Sequence, residues 1–216
     1  MLLEVEGKEC RIPWELDGIW DSENDVKGEI HVYVDGSFVK GEGQASAGWG
    51  VVVGGDWLEN NWMECIKDAD ALEIMELFKQ GRKRKMCGYY GRCVGEVGAS
   101  FDPELEAVAW ALEAVPDKNN ICIHIDNKGA MDSIEWYCGE LSEGKRSRAT
   151  HPTIHGYIEK MRKEKTGEVR LVHVKAHENV DDVHKAGNKC ADVLAGKGRL
   201  MGPDRELELM REHYED

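Results

Sequence analysis

Hydrophobic and polar positions alternate around residue 30. Ile30, Val32 and Val34 fall on one face and His31, Tyr33 and Asp35 on the other, so a period of two predicts a strand over 30–35. Gly36 then predicts a sharp turn, with Ser37 just beyond it. Trp49–Val53 is a continuous apolar run, the pattern of a buried strand, and the small, Gly-rich stretch 40–48 reads as the turn of a hairpin. Ile66, Leu72, Ile74, Met75, Leu77 and Phe78 predict helical content before the basic cluster 82–85, and 86–97 reads as a third strand. Asp102 can cap a helix whose first position suits Pro103. Leu105, Val108, Ala109 and Leu112 give that helix a core-facing stripe, and Pro116 stops it. Strand 121–126, helix 128–137, a loop over 142–150, a helix from Pro152, strand 169–174, and a loop through His177 and Gly187 to a last helix complete the order.

Three strands followed by strand–helix crossovers predict an α/β fold. Its mixed five-stranded sheet has three antiparallel strands, then parallel ones, flanked by helices. With 41% hydrophobic residues, the 216-residue chain can fill one ordinary core. The expected division is a catalytic domain over 30–200 with an insertion at about 56–85, an acidic N-terminal extension over 1–29, and an acidic tail over 201–216.

Seven cysteines without tight spacing predict reduced thiols. Cys87 and Cys93, the one close pair, lack a CxxC partner. No apolar run is long enough to span a membrane and no secretory signal opens the chain, so an intracellular location is expected, cytoplasmic or nuclear. The formal charge of -14 argues against a broad, sequence-independent grip on phosphates. It leaves room for bound divalent cations and for local basic clusters such as Lys145, Arg146 and Arg148.

Two distant strands each end in an Asp before a turn-prone residue, Asp35-Gly36 and Asp126-Asn127. On adjacent parallel strands both carboxylates reach one edge of the sheet. Glu104 lies in the first turn of the helix between them, and Asp192 is one turn beyond Asn188 on the last helix. Simpler roles exist for each. An Asp can initiate a turn, Glu104 can complement a helix dipole, Glu106 rivals Glu104, and His177 can be an ordinary loop histidine. Four converging carboxylates repel unless cations offset them, and oxygen-only donors favour magnesium or manganese. Two such ions ~4 Å apart are a clamp for in-line attack on a phosphodiester.

Tyr33-Val34-Asp35-Gly36-Ser37, Glu104-Leu105-Glu106-Ala107, Ile125-Asp126-Asn127, Val174-Lys175-Ala176-His177 and Asn188 to Ala195 resemble, in order, the motifs of the ribonuclease H type 1 family. The resemblance runs over roughly residues 30–200. It implies an endoribonuclease that hydrolyses the RNA strand of RNA/DNA hybrids with two Mg2+ (or Mn2+) ions. It implies Asp35, Glu104, Asp126 and Asp192 as metal ligands, and His177 as a mobile proton shuttle. Ser37 and Asn188 become neighbours of the site or the hybrid, and Asn127, Gln44, Lys145 and Arg146 further candidates for nucleic-acid contact. The family's Asn residues after the first Asp and before the helix Glu are absent here, where Gln44 and Ser100 stand instead. The chain is expected to act free-standing or as part of a retroelement polyprotein. Competing readings are a nuclease of the same superfamily acting on DNA and a non-catalytic interaction protein that keeps the fold.

Overall fold

The computed structural model describes residues 2–5, 8–11, 29–39, 46–54, 66–79, 86–93, 102–139, 143–175 and 182–200. Strands β1 (Leu2–Val5) and β2 (Lys8–Arg11) pair with each other in a small antiparallel ribbon. The main sheet has the order β5-β4-β3-β6-β7, built from β3 (Glu29–Val39), β4 (Ser46–Gly54), β5 (Met86–Arg92), β6 (Asn120–Ile125) and β7 (Val169–His173). β3, β4 and β5 are antiparallel, and β6 and β7 continue parallel to β3. β3 is therefore the central strand.

The alternation on β3 divides the core in two. Ile30, Val32 and Val34 join Ile121, Ile123 and Ile125 of β6 in one cluster. Over it lie α2 (Asp102–Ala114), α3 (Lys128–Cys138) and α5 (Pro152–Glu164), through Leu105, Val108 and Leu112, Ile134, and Ile158 respectively. Tyr33, on the opposite face, packs beneath Ala186, Cys190, Ala191 and Leu194 of α6 (Val183–Arg199). Ile66 and Ile74 fill the same cluster. Ile74 belongs to α1 (Ala71–Lys79), so this part of the predicted insertion supplies core. Lys189 fixes it in place, donating from Nζ to the carbonyls of Ile66, Lys67 and Ala69 at 3.0, 3.0 and 2.8 Å.

Several local expectations change. β3 does not turn at Gly36 but runs to Val39, with Gly36 opposite Trp49. A Cβ at Gly36 would stand 2.5 Å from the Glu104 nitrogen, so the glycine admits the start of α2 against the strand. The last helix begins at Val183, not after Gly187, because Asp182 caps it by accepting from the His184 and Lys185 amides. Gly187 sits inside α6, where a Cβ would meet the Tyr33 ring at 2.6 Å. The loop over 142–150 contains a short helix, α4 (Glu143–Arg146). His155, in the first turn of α5, is buried, and the Ser133 hydroxyl and the His151 carbonyl satisfy its ring. Gln44, Ser100, His177 and the basic cluster 82–85 lie outside the described residues. Among the described residues no helix is long and apolar enough to cross a membrane.

Candidate active site

Val34 pairs with Ile125 across β3 and β6, so the next residues, Asp35 and Asp126, emerge side by side. β6 stops at Ile125 while β3 continues. The backbone of β3 beyond that point is open to α2, and the Gly36 amide donates to the Glu104 carboxylate. Carboxylate oxygens of Asp35, Glu104 and Asp126 come within 4.8 Å of one another. Glu106, two residues along the helix, bonds instead with Cys93, and burial pushes its carboxyl up to about 7.

α6 closes the other side of the cluster. Asn188, itself buried, donates from Nδ2 to Asp126 Oδ2 at 3.3 Å. Asp192 is exposed on the same helix face and hydrogen-bonds Asp35. His173, at the end of β7, donates from Nε2 to the Asp126 carbonyl at 3.0 Å, fixing the turn that carries this carboxylate. The sequence reading missed two of these contacts, the Gly36 amide and His173. The signal for His173 was its place at the end of the strand next to β6.

The electrostatics are those of carboxylates crowded together in a largely buried place. Burial, then the charges of Glu104, Asp126 and Asp192, push the Asp35 carboxyl well above the usual carboxylate range. Burial and the Asp126 charge push Glu104 up to about 8, against the opposing Gly36 and Asp35 hydrogen bonds. Glu104 Oε2 is buried with no hydrogen-bond partner, a costly state for a carboxylate oxygen. An all-oxygen donor set with an unmatched buried oxygen fits a hard divalent cation.

The remaining candidates are spread more widely. Ser37 lies within β3, opposite Gly48. The Asn127 side chain caps α3 by accepting from the Ala130 amide at 3.1 Å. Arg146 has structural partners, pairing with Glu159, donating to the Gly139 carbonyl and lying over the Tyr137 ring. Lys145, beside it on α4, is exposed.

A family model described as RNase H matches residues 100–199, a stretch that includes Glu104, Asp126, Asn188 and Asp192. Two foamy virus structures share the fold. The prototype foamy virus protease–reverse transcriptase is 17% identical with a TM-score of 0.59, the match covering 83% of this chain and 22% of the viral protein. The chain thus spans about a fifth of that protein's length. The isolated RNase H domain of the same virus is 17% identical with a TM-score of 0.53, covering 82% of this chain and 97% of the domain. LC9-RNase H1, described as a type 1 RNase H with the type 2 active-site motif, is 15% identical with a TM-score of 0.50, covering 82% and 74%. Comparison with curated proteins finds no match.

Proposed function

We propose that this chain, which is RNase H-like in fold and in the sequence pattern of its second half, is a metal-dependent endoribonuclease that cuts the RNA strand of RNA/DNA hybrids. The observation that carries the proposal is the convergence of Asp35, Glu104 and Asp126 from three separate segments around a buried, unmatched carboxylate oxygen. Asp35, Glu104, Asp126 and Asp192 would hold two Mg2+ or Mn2+ ions. When bound, such ions supply a water activated for attack and stabilise charge on the leaving oxygen.

The protein's own groups do the positioning. The Gly36 amide orients Glu104, Asn188 and His173 orient Asp126, and the exposed Asp192 forms the rim next to Asp35. Burial keeps bulk water from competing for the carboxylates, which strengthens their hold on a cation. We assign His177 to proton transfer on the product side, and Ser37, Asn127, Asn188, Gln44 and Lys145 to contacts with the duplex. Residues 30–200 form the catalytic domain in this reading. The likeness to a viral protease–reverse transcriptase supports action as one part of a larger protein.

The test is a panel of end-labelled substrates with Mg2+, Mn2+ or EDTA. The expected result is cleavage of the RNA strand in the hybrid, with metal only. Cutting of DNA and not of the hybrid would replace this reading with a DNA nuclease, and no cutting of any substrate would favour a binding protein.

A further inference from the structure

A second group of ligating side chains lies on the same sheet face, toward the other end of β3 and β6. His31 stands opposite Cys122 and Tyr33 opposite His124 in the parallel register. One ligating atom from each of His31, Cys122 and His124 lies within 4.8 Å of the others. His31 precedes Asp35 by four residues and Cys122 precedes Asp126 by four, about 13 Å of extended strand. The phosphodiester chemistry uses none of the three.

Their donor chemistry differs from that of the carboxylates. Imidazole nitrogen and thiolate sulfur suit zinc and other borderline metals, and magnesium poorly. His31 Nδ1 and His124 Nε2 are 2.9 Å apart. Zinc held at ~2.0–2.1 Å from two nitrogens in a tetrahedron needs them about 3.3 Å apart, so the rings have to part by only a few tenths of an ångström. The other nitrogen of His31 lies 3.9 Å from Glu29 Oε2, a near approach longer than a hydrogen bond. Two hydrogen bonds from Arg170, at 2.9 and 2.6 Å, hold Glu29.

His124 is the second indication. It is 2% exposed, and its ring is stacked 4.5 Å from both Tyr33 and His184. Its Nδ1 has no partner, and the hydrogen bond to His31 is what satisfies Nε2. A ligating imidazole binds through one nitrogen, and the one His124 turns toward His31 is Nε2, so a metal there would take the place of the hydrogen bond between the two rings. Cys122 is fully buried with a free thiol.

We propose that His31, Cys122 and His124 bind a zinc ion that ties β3 to β6 behind the carboxylate cluster. On binding, the Cys122 thiol gives its proton to solvent as the sulfur–zinc bond forms. The ion would clamp together the two strands that carry Asp35 and Asp126. The inference goes beyond the nuclease reading and does not depend on it.

The experiment uses the full chain without a histidine tag, stripped by chelator and titrated with Zn2+ and with Co2+ in excess Mg2+. One zinc per chain is expected, with a thiolate-to-cobalt charge-transfer band in the near ultraviolet and a rise in Tm with zinc that Mg2+ does not reproduce. Cys122→Ala and His31→Gln, checked for folding by circular dichroism, should each weaken zinc binding at least 100-fold and lose the band. Asp126→Asn should keep both, which separates this site from the carboxylates. His31 is partly exposed, so its variant keeps the test open if Cys122→Ala fails to fold. No charge-transfer band in the parent chain, or parental zinc affinity in His31→Gln, overturns the proposal.

Discussion

Gly36→Ala tests how the site is assembled. The added Cβ would lie 2.5 Å from the Glu104 nitrogen, 2.8 Å from the Pro103 carbonyl carbon and 2.9 Å from Pro103 Cβ. Carbon contacts relax at ~3.5–4.0 Å, so roughly 1 Å has to be made up. None of the three atoms is the tip of a flexible side chain. The first turn of α2 must move as a unit, or β3 must bend. Overpacking of this kind costs about 1–3 kcal/mol. For a domain of this size that is a Tm lower by about 2–12 °C. The same displacement carries Glu104 away from Asp35 and from the Gly36 amide. A misplacement of ~1 Å at a reacting centre costs about 10²-fold in rate. Thermal unfolding measures the first effect, and hybrid cleavage at a series of Mg2+ concentrations measures the second, with half-saturation shifted upward. A Gly36→Ala protein with parental Tm and parental Mg2+ dependence would refute the close packing of β3 against α2 as the device that places Glu104.

Glu104→Gln should abolish cleavage, whereas Glu106→Gln should retain it within a few-fold, because Glu106 bonds with Cys93 rather than joining the cluster; single-turnover rates decide. Stability of the metal-free chain should fall as pH rises from about 6.5 to 8. Glu104 and Asp35 bind protons more tightly folded than unfolded, so their contribution is complete near pH 4.5 and is lost as pH passes the raised value of about 8 for Glu104. His124, which burial holds down at about 3, acts with the opposite sign only below about 6.5 and is silent in that window. The rise in Tm caused by Mg2+ should therefore grow from pH 6.5 to 8, and a pH-independent rise would contradict the assignment. Lys189→Met removes the donor to three carbonyls and should cost about 1–3 kcal/mol. Hydrogen exchange should localise the loss to residues 66–79.

How much of this was legible in the sequence depends on the range of the physics involved. The alternation over 30–35 is a local pattern, and it correctly separates Val32 and Val34 from Tyr33 and Asp35 because each face meets a different helix layer. Gly36 was misread because glycine serves both a turn and a close approach, and only the position of α2 distinguishes them. Glu104 and Glu106 were inseparable by helical periodicity, and their neighbours, Asp35 on β3 and Cys93 just past β5, are distant in sequence or outside the helix. The start of α6 was available, since Asp182 is a good capping residue, but the acidic pair Asp181-Asp182 read as loop. The His31, Cys122 and His124 group has no local spacing at all. It exists only through the parallel register of β3 and β6.

The most direct test of the carboxylate centre is hybrid cleavage by Asp126→Asn. Asparagine keeps the shape of the side chain and an oxygen to accept from Asn188, but removes the charge that would hold a cation. The parent chain should cut the RNA strand in Mg2+ and stop in EDTA. The variant, unfolding at the parental temperature or above, should be slower by at least ~10²-fold. Parental cleavage by Asp126→Asn, or cleavage that survives EDTA, would contradict the account.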